Sequence, residues 1–150
     1  MVLKKEVAMS NPIQLDVSYF VAPQLAEEDF AVLKEQGFER VINNRPELES
    51  EDQPAGESLQ RAAEVLGLEY INNPIDLSKL SQENVFHQGA ALLPVKKTLA
   101  FCRTGTRSSV LWVLLNNAQG GSYEDLSAHV SSKGFDLTRC LPAMLPLLKK

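Results

Sequence analysis

The sequence predicts an α/β fold, with a mostly parallel central sheet flanked by helices. Two observations carry that reading. Short apolar runs suited to strands alternate along the chain with segments of helical spacing. The most apolar of these runs, Thr98 to Cys102 (TLAFC), also suits a strand buried on both faces, as central parallel strands are. The chain has 150 residues, the size of one globular domain, so residues 1–150 are read as a single domain with a sizeable core.

The elements follow in order. Ile13 to Ala22 reads as one extended segment ending at Pro23, with β-branched and aromatic residues interleaved with polar ones. Ala26 to Gln36 has helical spacing, acidic residues in its first turn, and Gly37 where a terminating glycine belongs. Phe38 to Asn43 follows as a strand, and the acidic, proline-bearing Asn44 to Ala55 as a solvated loop. Glu57 to Leu66 is helical and stops at Gly67, and Leu68 to Ile75 is extended. A loop from Asp76 to Leu80 leads to Ser81, an N-cap for a helix reaching about Leu93 before Pro94. After the Thr98 to Cys102 strand come a helix over Ser108 to Asn117, a Gly120-Gly121 turn and a helix over Tyr123 to Ser132. Leu137 to Leu148 is a last helical stretch disturbed by Pro142 and Pro146.

Composition excludes several function classes. The formal net charge is −4, so no nucleic-acid or membrane partner is expected, and an anionic substrate needs a local positive site. Two cysteines, Cys102 and Cys140, are too few for a disulfide scaffold and suit the reducing cytoplasm. Met1 to Ser10 carries Lys4 and Lys5 but no apolar run of signal-peptide length. The apolar stretch at Val110 to Leu115 is far too short to span a bilayer. The expectation is a cytoplasmic monomer or homo-oligomer.

Chemistry concentrates where the Thr98 to Cys102 strand meets the next helix. Ligands in open α/β sheets bind beyond the carboxyl ends of the strands, which is where Cys102 stands. Arg103, Thr104, Gly105 and Thr106 form a short polar loop that can curl and point backbone N–H groups at an anion. The following helix adds the positive end of its dipole, and Arg107 adds a permanent cation with a fixed fork of donors. All three favour the thiolate of Cys102, the form that attacks. Ser108 could donate a hydrogen bond to the sulfur and tune its leaving ability. A lone cysteine ending an apolar strand is usually a core residue. Here the ordered set Cys102, Arg103, Gly105, Arg107 and Ser108 at a strand-to-helix junction favours function.

Outside the loop, Asp76 reads as a cap for the turn beyond it. Arg45 follows the second strand and could reach the site mouth, but reads rather as part of a surface turn, and Cys140 as packing among Leu137, Leu141 and Met144 rather than a resolving thiol. His87 and His129 have no partners at ligand spacing, so neither a metal nor any other cofactor is expected.

Read as C-R-x-G-x-R-S, residues 102–108 resemble the active-site loop of single-domain rhodaneses. The rest of the chain resembles the bacterial phosphatase-like domain of beta-lactamase-hydrolase-like proteins, within the protein tyrosine phosphatase superfold. That resemblance rests on Ala26-Glu27-Glu28-Asp29-Phe30, Val41-Ile42-Asn43-Asn44-Arg45-Pro46, Gly67-Leu68-Glu69-Tyr70 and Gly134-Phe135-Asp136-Leu137. It implies a fold of the dual-specificity phosphatase type.

Fold and loop imply different chemistries. Tyrosine phosphatases carry His-Cys, five residues and then Arg, whereas Phe101 precedes Cys102 here and four residues separate it from Arg107. A shorter ring loses one N–H and suits a single outer sulfur. The first expectation is therefore a rhodanese-like sulfurtransferase working through a Cys102 persulfide, with thiosulfate or a persulfide as donor. The alternative is a phosphatase acting on a phosphate ester through a phosphocysteine at Cys102, with Asp76 protonating the leaving group. A non-catalytic anion-binding module is the third.

Overall fold

The computed structural model describes residues 12–149, so the reading of Met1 to Ser10 lies outside the described residues. A five-stranded sheet runs through the molecule in the order β1-β2-β5-β3-β4. Its strands are β1 (Ile13–Gln14), β2 (Tyr19–Ala22), β3 (Arg40–Asn43), β4 (Glu69–Asn72) and β5 (Thr98–Phe101). The last four are parallel and only β1 is antiparallel.

The register aligns Ala22 with Phe101, Phe101 with Asn43, and Asn43 with Asn72. All four parallel strands therefore end at one level, and the loops that leave them meet there. Parallel strands need crossovers, and here they are helical. Helices α1 (Asp29–Glu35) and α2 (Gly56–Val65) cover one face. The other carries α3 (Gln82–Ala91), α4 (Thr106–Ala118), α5 (Tyr123–Ser132) and α6 (Leu141–Met144). Strand alternation divides the core accordingly. Val41, Leu99 and Phe101 pack toward α1 and α2, whereas Val21, Ile42 and Ala100 pack toward the larger helical layer.

Local chemistry sets the boundaries. Helix α1 ends where Gly37 takes φ +89°, a conformation that costs an L side chain dearly. Helix α3 starts with a reciprocal capping box, in which Ser81 and Asn84 each bond the other's backbone.

Two expectations change. Ile13 to Ala22 is not one strand but a hairpin, because the chain reverses at Asp16 and the N–H groups of Leu15 and Asp16 both donate to Tyr19 O (2.9 and 3.2 Å). The Leu137 to Leu148 stretch breaks into the four-residue α6 between two short 3₁₀ turns. Pro142 and Pro146 each lack an N–H and occupy first-turn positions, so each opens a turn rather than extending one.

Candidate active site

Strand β5 ends at Phe101 and delivers Cys102, fully buried, to the point where the four loops meet. The chain then turns sharply. Gly105 sits at φ +93° as the N-cap of α4, and its N–H donates to Cys102 Sγ at 3.1 Å. Space as well as backbone requires glycine here: a Cβ would lie 3.0 Å from Phe135 Cε1. The N–H and the hydroxyl of Ser109 both donate to Gly105 O (3.0 and 2.9 Å), closing the first turn of the helix. That helix begins at Thr106, slightly earlier than its apolar run suggests. Arg103 and Thr104 are exposed, and the Arg103 carbonyl accepts from Gln24 N at 3.2 Å, tying the loop to the end of β2.

Arg107 is held on one edge. Its Nη1 donates to Glu49 Oε2 and to Ile75 O (3.0 Å), and its Nη2 donates to Glu49 Oε1 (2.9 Å). A guanidinium has five N–H donors, so Nε–H and one Nη2–H are left over, the pair that forms a side-on fork. Burial works against the charge. The Glu49 hydrogen bond, the neighbouring Cys102 and Glu49 charges and, least, a side-chain interaction with Cys102 outweigh it and hold the guanidinium above its ordinary range.

Glu49 serves two arginines. Arg45 Nε donates to Glu49 Oε1 at 2.8 Å, while its Nη1 reaches Gln24 Oε1 (3.0 Å) and its Nη2 Ser50 Oγ (3.3 Å). Hydrogen bonding from Arg107 first, and then from Arg45, brings the Glu49 carboxyl down to about 2 despite its partial burial. Arg45 is therefore no surface-turn residue. It is buried, because this loop folds back over the ends of β2 and β3.

Beneath the loop lies a buried network of amides. Asn44 Nδ2 donates to Asn73 O and to Gln88 Oε1 (both 2.9 Å), and Asn44 Oδ1 accepts from Gln88 Nε2 (3.1 Å) and Ser108 Oγ (2.9 Å). Gln88 Nε2 also donates to Tyr19 OH (3.1 Å), whose own proton goes to Ser108 O (2.8 Å). Asn73 Nδ2 supplies the second bond to Gln88 Oε1 (2.9 Å). Both amides thus use all four of their positions. The Ser108 hydroxyl, expected to donate to the sulfur, donates to Asn44 instead. It is buried in the first turn of α4, where Asn44 Oδ1 is its acceptor.

Asp76 lies one residue beyond Ile75, whose carbonyl holds Arg107, and so borders the site. Its carboxylate caps the following 3₁₀ turn by accepting from Ser78 N (3.0 Å) and Ser78 Oγ (2.7 Å), which keep it below the usual carboxylate range. Cys140 is buried beside α6, and burial pushes its thiol up. Among the described residues no group of three or more His, Cys, Asp or Glu is placed to hold a metal ion.

The sequence reading missed Glu49, Asn44, Gln88 and Tyr19. The acidic run around Glu49 was visible, but nothing local distinguishes the carboxylate that reaches Arg107, 58 positions away.

This arrangement can be compared with known proteins. Residues 13–119 match the family model described as the beta-lactamase hydrolase-like protein, phosphatase-like domain. The chain belongs to that family. A beta-lactamase hydrolase-like protein from Agrobacterium fabrum is 30% identical over 130 residues, covering 83% of this chain and 30% of that protein. This phosphatase-like domain thus spans under a third of the length of the curated relatives it matches. Among solved structures, a candidate phosphatase from Neisseria meningitidis is 27% identical with a TM-score of 0.75, covering 87% of this chain and 96% of its own. Kinase associated phosphatase shares the fold at 17% identity and a TM-score of 0.69, covering 95% of this chain and 94% of its own. The phosphatase-like domain therefore has the tyrosine phosphatase type of α/β fold. Family and fold together support an enzyme of the cysteine-nucleophile phosphatase class. No helix among the described residues is long and apolar enough to cross a membrane.

Proposed function

We propose that this phosphatase-like domain is a cysteine-dependent phosphatase acting on small phosphate-bearing substrates. The observation that carries the reading is the posture of Arg107. Glu49 and Ile75 O grip three of its donors and leave the side-on pair for two oxygens of a phosphoryl group. Cys102 is the nucleophile, placed beneath that group by the cradle of Arg103, Thr104, Gly105 and Thr106. In the transition state the three equatorial oxygens gather charge. The Arg107 fork, the loop N–H groups and the α4 N-terminus meet that charge without rearranging, which is where such a site gains most of its rate. Ser108 supports the loop through Asn44, and the two free cysteines fit a reducing, cytoplasmic setting.

A second reading keeps one specific observation. Four residues rather than five separate Cys102 from Arg107, and Phe101 stands where tyrosine phosphatases carry histidine. A ring of that size favours a Cys102 persulfide and sulfur transfer. The family and the fold support the phosphatase reading better. A side-by-side assay decides between them: aryl phosphate hydrolysis that Cys102→Ser abolishes and vanadate inhibits supports the first reading. Turnover of thiosulfate plus cyanide with no phosphate hydrolysis overturns it.

A further inference from the structure

We infer that this site acts on phosphoryl groups whose leaving oxygen departs without a proton: acyl phosphates, phosphoanhydrides and esters of acidic phenols. The inference rests on the phosphatase reading above. It comes from how the acids and proton donors around the cradle are already committed.

A phosphatase that cleaves an alkyl ester needs a protonated group aimed at the leaving oxygen. Among the described residues, the carboxylates of Glu47, Glu49, Asp52, Asp76 and Asp136 in and beside the loops around Cys102 each have other work. That of Asp136 accepts from Thr138 N (3.0 Å) and Thr138 Oγ1 (2.6 Å). Glu49 is shared by Arg107 and Arg45. Glu47 accepts from Gly56 N with both oxygens (3.0 and 3.1 Å), and Asp52 Oδ1 takes the Ser50 hydroxyl at 2.8 Å. Asp76 takes both the N–H and the hydroxyl of Ser78. Nor is the Asp76 loop free to swing its carboxyl over the cradle. Ile75 is fully buried, its N–H donates to Asn44 O (2.9 Å) and its carbonyl accepts from Arg107 (3.0 Å). Lys79 N fixes the far side by donating to Asp76 O at 2.8 Å.

Other proton donors among the described residues do not fill the role. In the cradle Thr104 Oγ1 donates to Thr106 Oγ1 (2.9 Å), and threonine hydroxyls are too weakly acidic to protonate a leaving oxygen. The Tyr19 proton goes to Ser108 O and the Ser108 proton to Asn44 Oδ1. His129 bonds Leu15 O on the α5 side and His87 lies on α3. Hydrogen bonds hold the carboxyls of Glu49, Asp52 and Asp76 below the ordinary range, so all three are ionised at neutral pH.

The chemistry balances without a general acid. The Cys102 thiolate attacks phosphorus, the S–P bond forms and the P–O bond breaks. The electron pair leaves on oxygen as a carboxylate, a phosphate or an acidic phenolate. Water then attacks the phosphocysteine, the S–P bond breaks, the thiolate returns, and both protons of that water stay on the inorganic phosphate.

A leaving-group series on the intact chain tests this, with acetyl phosphate, p-nitrophenyl phosphate and phenyl phosphate as probes. General acid catalysis contributes typically 10²–10⁴-fold, most of it with basic leaving groups. In its absence kcat/KM for acetyl and p-nitrophenyl phosphates should exceed that for phenyl phosphate by roughly 10²-fold or more. The solvent deuterium effect on kcat/KM should be near unity, and Asp76→Asn should leave the ratio among the three substrates unchanged. Comparable kcat/KM for all three, with phenyl phosphate turnover collapsing in a folded Asp76→Asn variant, overturns the inference and leaves the phosphatase reading standing. Failure to hydrolyse any of the three, acetyl phosphate included, overturns both.

Discussion

One carboxylate, that of Glu49, orients Arg107 while also neutralising Arg45. The arrangement has a pH signature. A carboxyl held near about 2 in the folded chain contributes stability that is complete above the ordinary carboxylate range, and that is lost as pH falls through its folded value. Wild type should therefore melt higher than Glu49→Gln at neutral pH. Thermal melts from pH 7 downward should show the gap narrowing below about pH 4 and closing near pH 2. A gap that stays constant across that range would show that Glu49 does not stabilise through its charge.

Arg107→Lys keeps the charge and loses the fork. A lysine cannot hold Glu49 with two nitrogens and Ile75 O while still offering a side-on pair. Loss of such a preorganised donor typically costs about 10²–10³-fold in turnover, and the variant should show that loss with a fold intact by circular dichroism. Full activity toward every substrate of the wild type would rule out the fork.

Ser108→Ala tests where the hydroxyl points. It strips one of two donors from Asn44 Oδ1 in the core, at a cost of about 1–3 kcal/mol. The unfolding free energy from urea melts should fall by that amount, as a lower midpoint with the slope unchanged. An unmoved midpoint alongside a shifted pH–rate profile would instead put the hydroxyl on the sulfur.

Gly105→Ala should suffer twice. Left-handed backbone costs an L residue roughly 1–2 kcal/mol, and the new methyl also meets the Phe135 ring. Adding Phe135→Leu opens the space but does not relieve the backbone. The double variant should therefore recover part of the lost stability and little of the lost activity, as read by paired melts and assays.

Much of the fold was legible because its signals are local. Gly37 and Gly67 mark helix ends within one turn, Ser81 caps its own helix, and TLAFC reads as a buried strand by composition alone. The cradle was legible for the same reason, since Cys102 to Ser108 is one continuous segment. What could not be read is polar and distant. Asn44 meets Gln88 across 44 positions and Ser108 across 64, and an amide carries no periodicity announcing its partner. Arg45 misled because a charged residue before proline in an acidic loop looks solvated. Only the fold shows that Gln24, Glu49 and Ser50 enclose it.

The saturated amide pair under the loop has a further consequence. Every proton in it has a single address, since turning either amide over would set N–H against N–H and oxygen against oxygen. Shape is therefore a poor guide to which exchanges Asn44 tolerates. Aspartate matches asparagine almost atom for atom, yet it would face the oxygens of Asn73 and Gln88 with an oxygen of its own. The most nearly isosteric neighbour of Asn44 is thus among the least admissible, and mispairing there would reach the loop after β5 through Ser108 before any change in volume was felt.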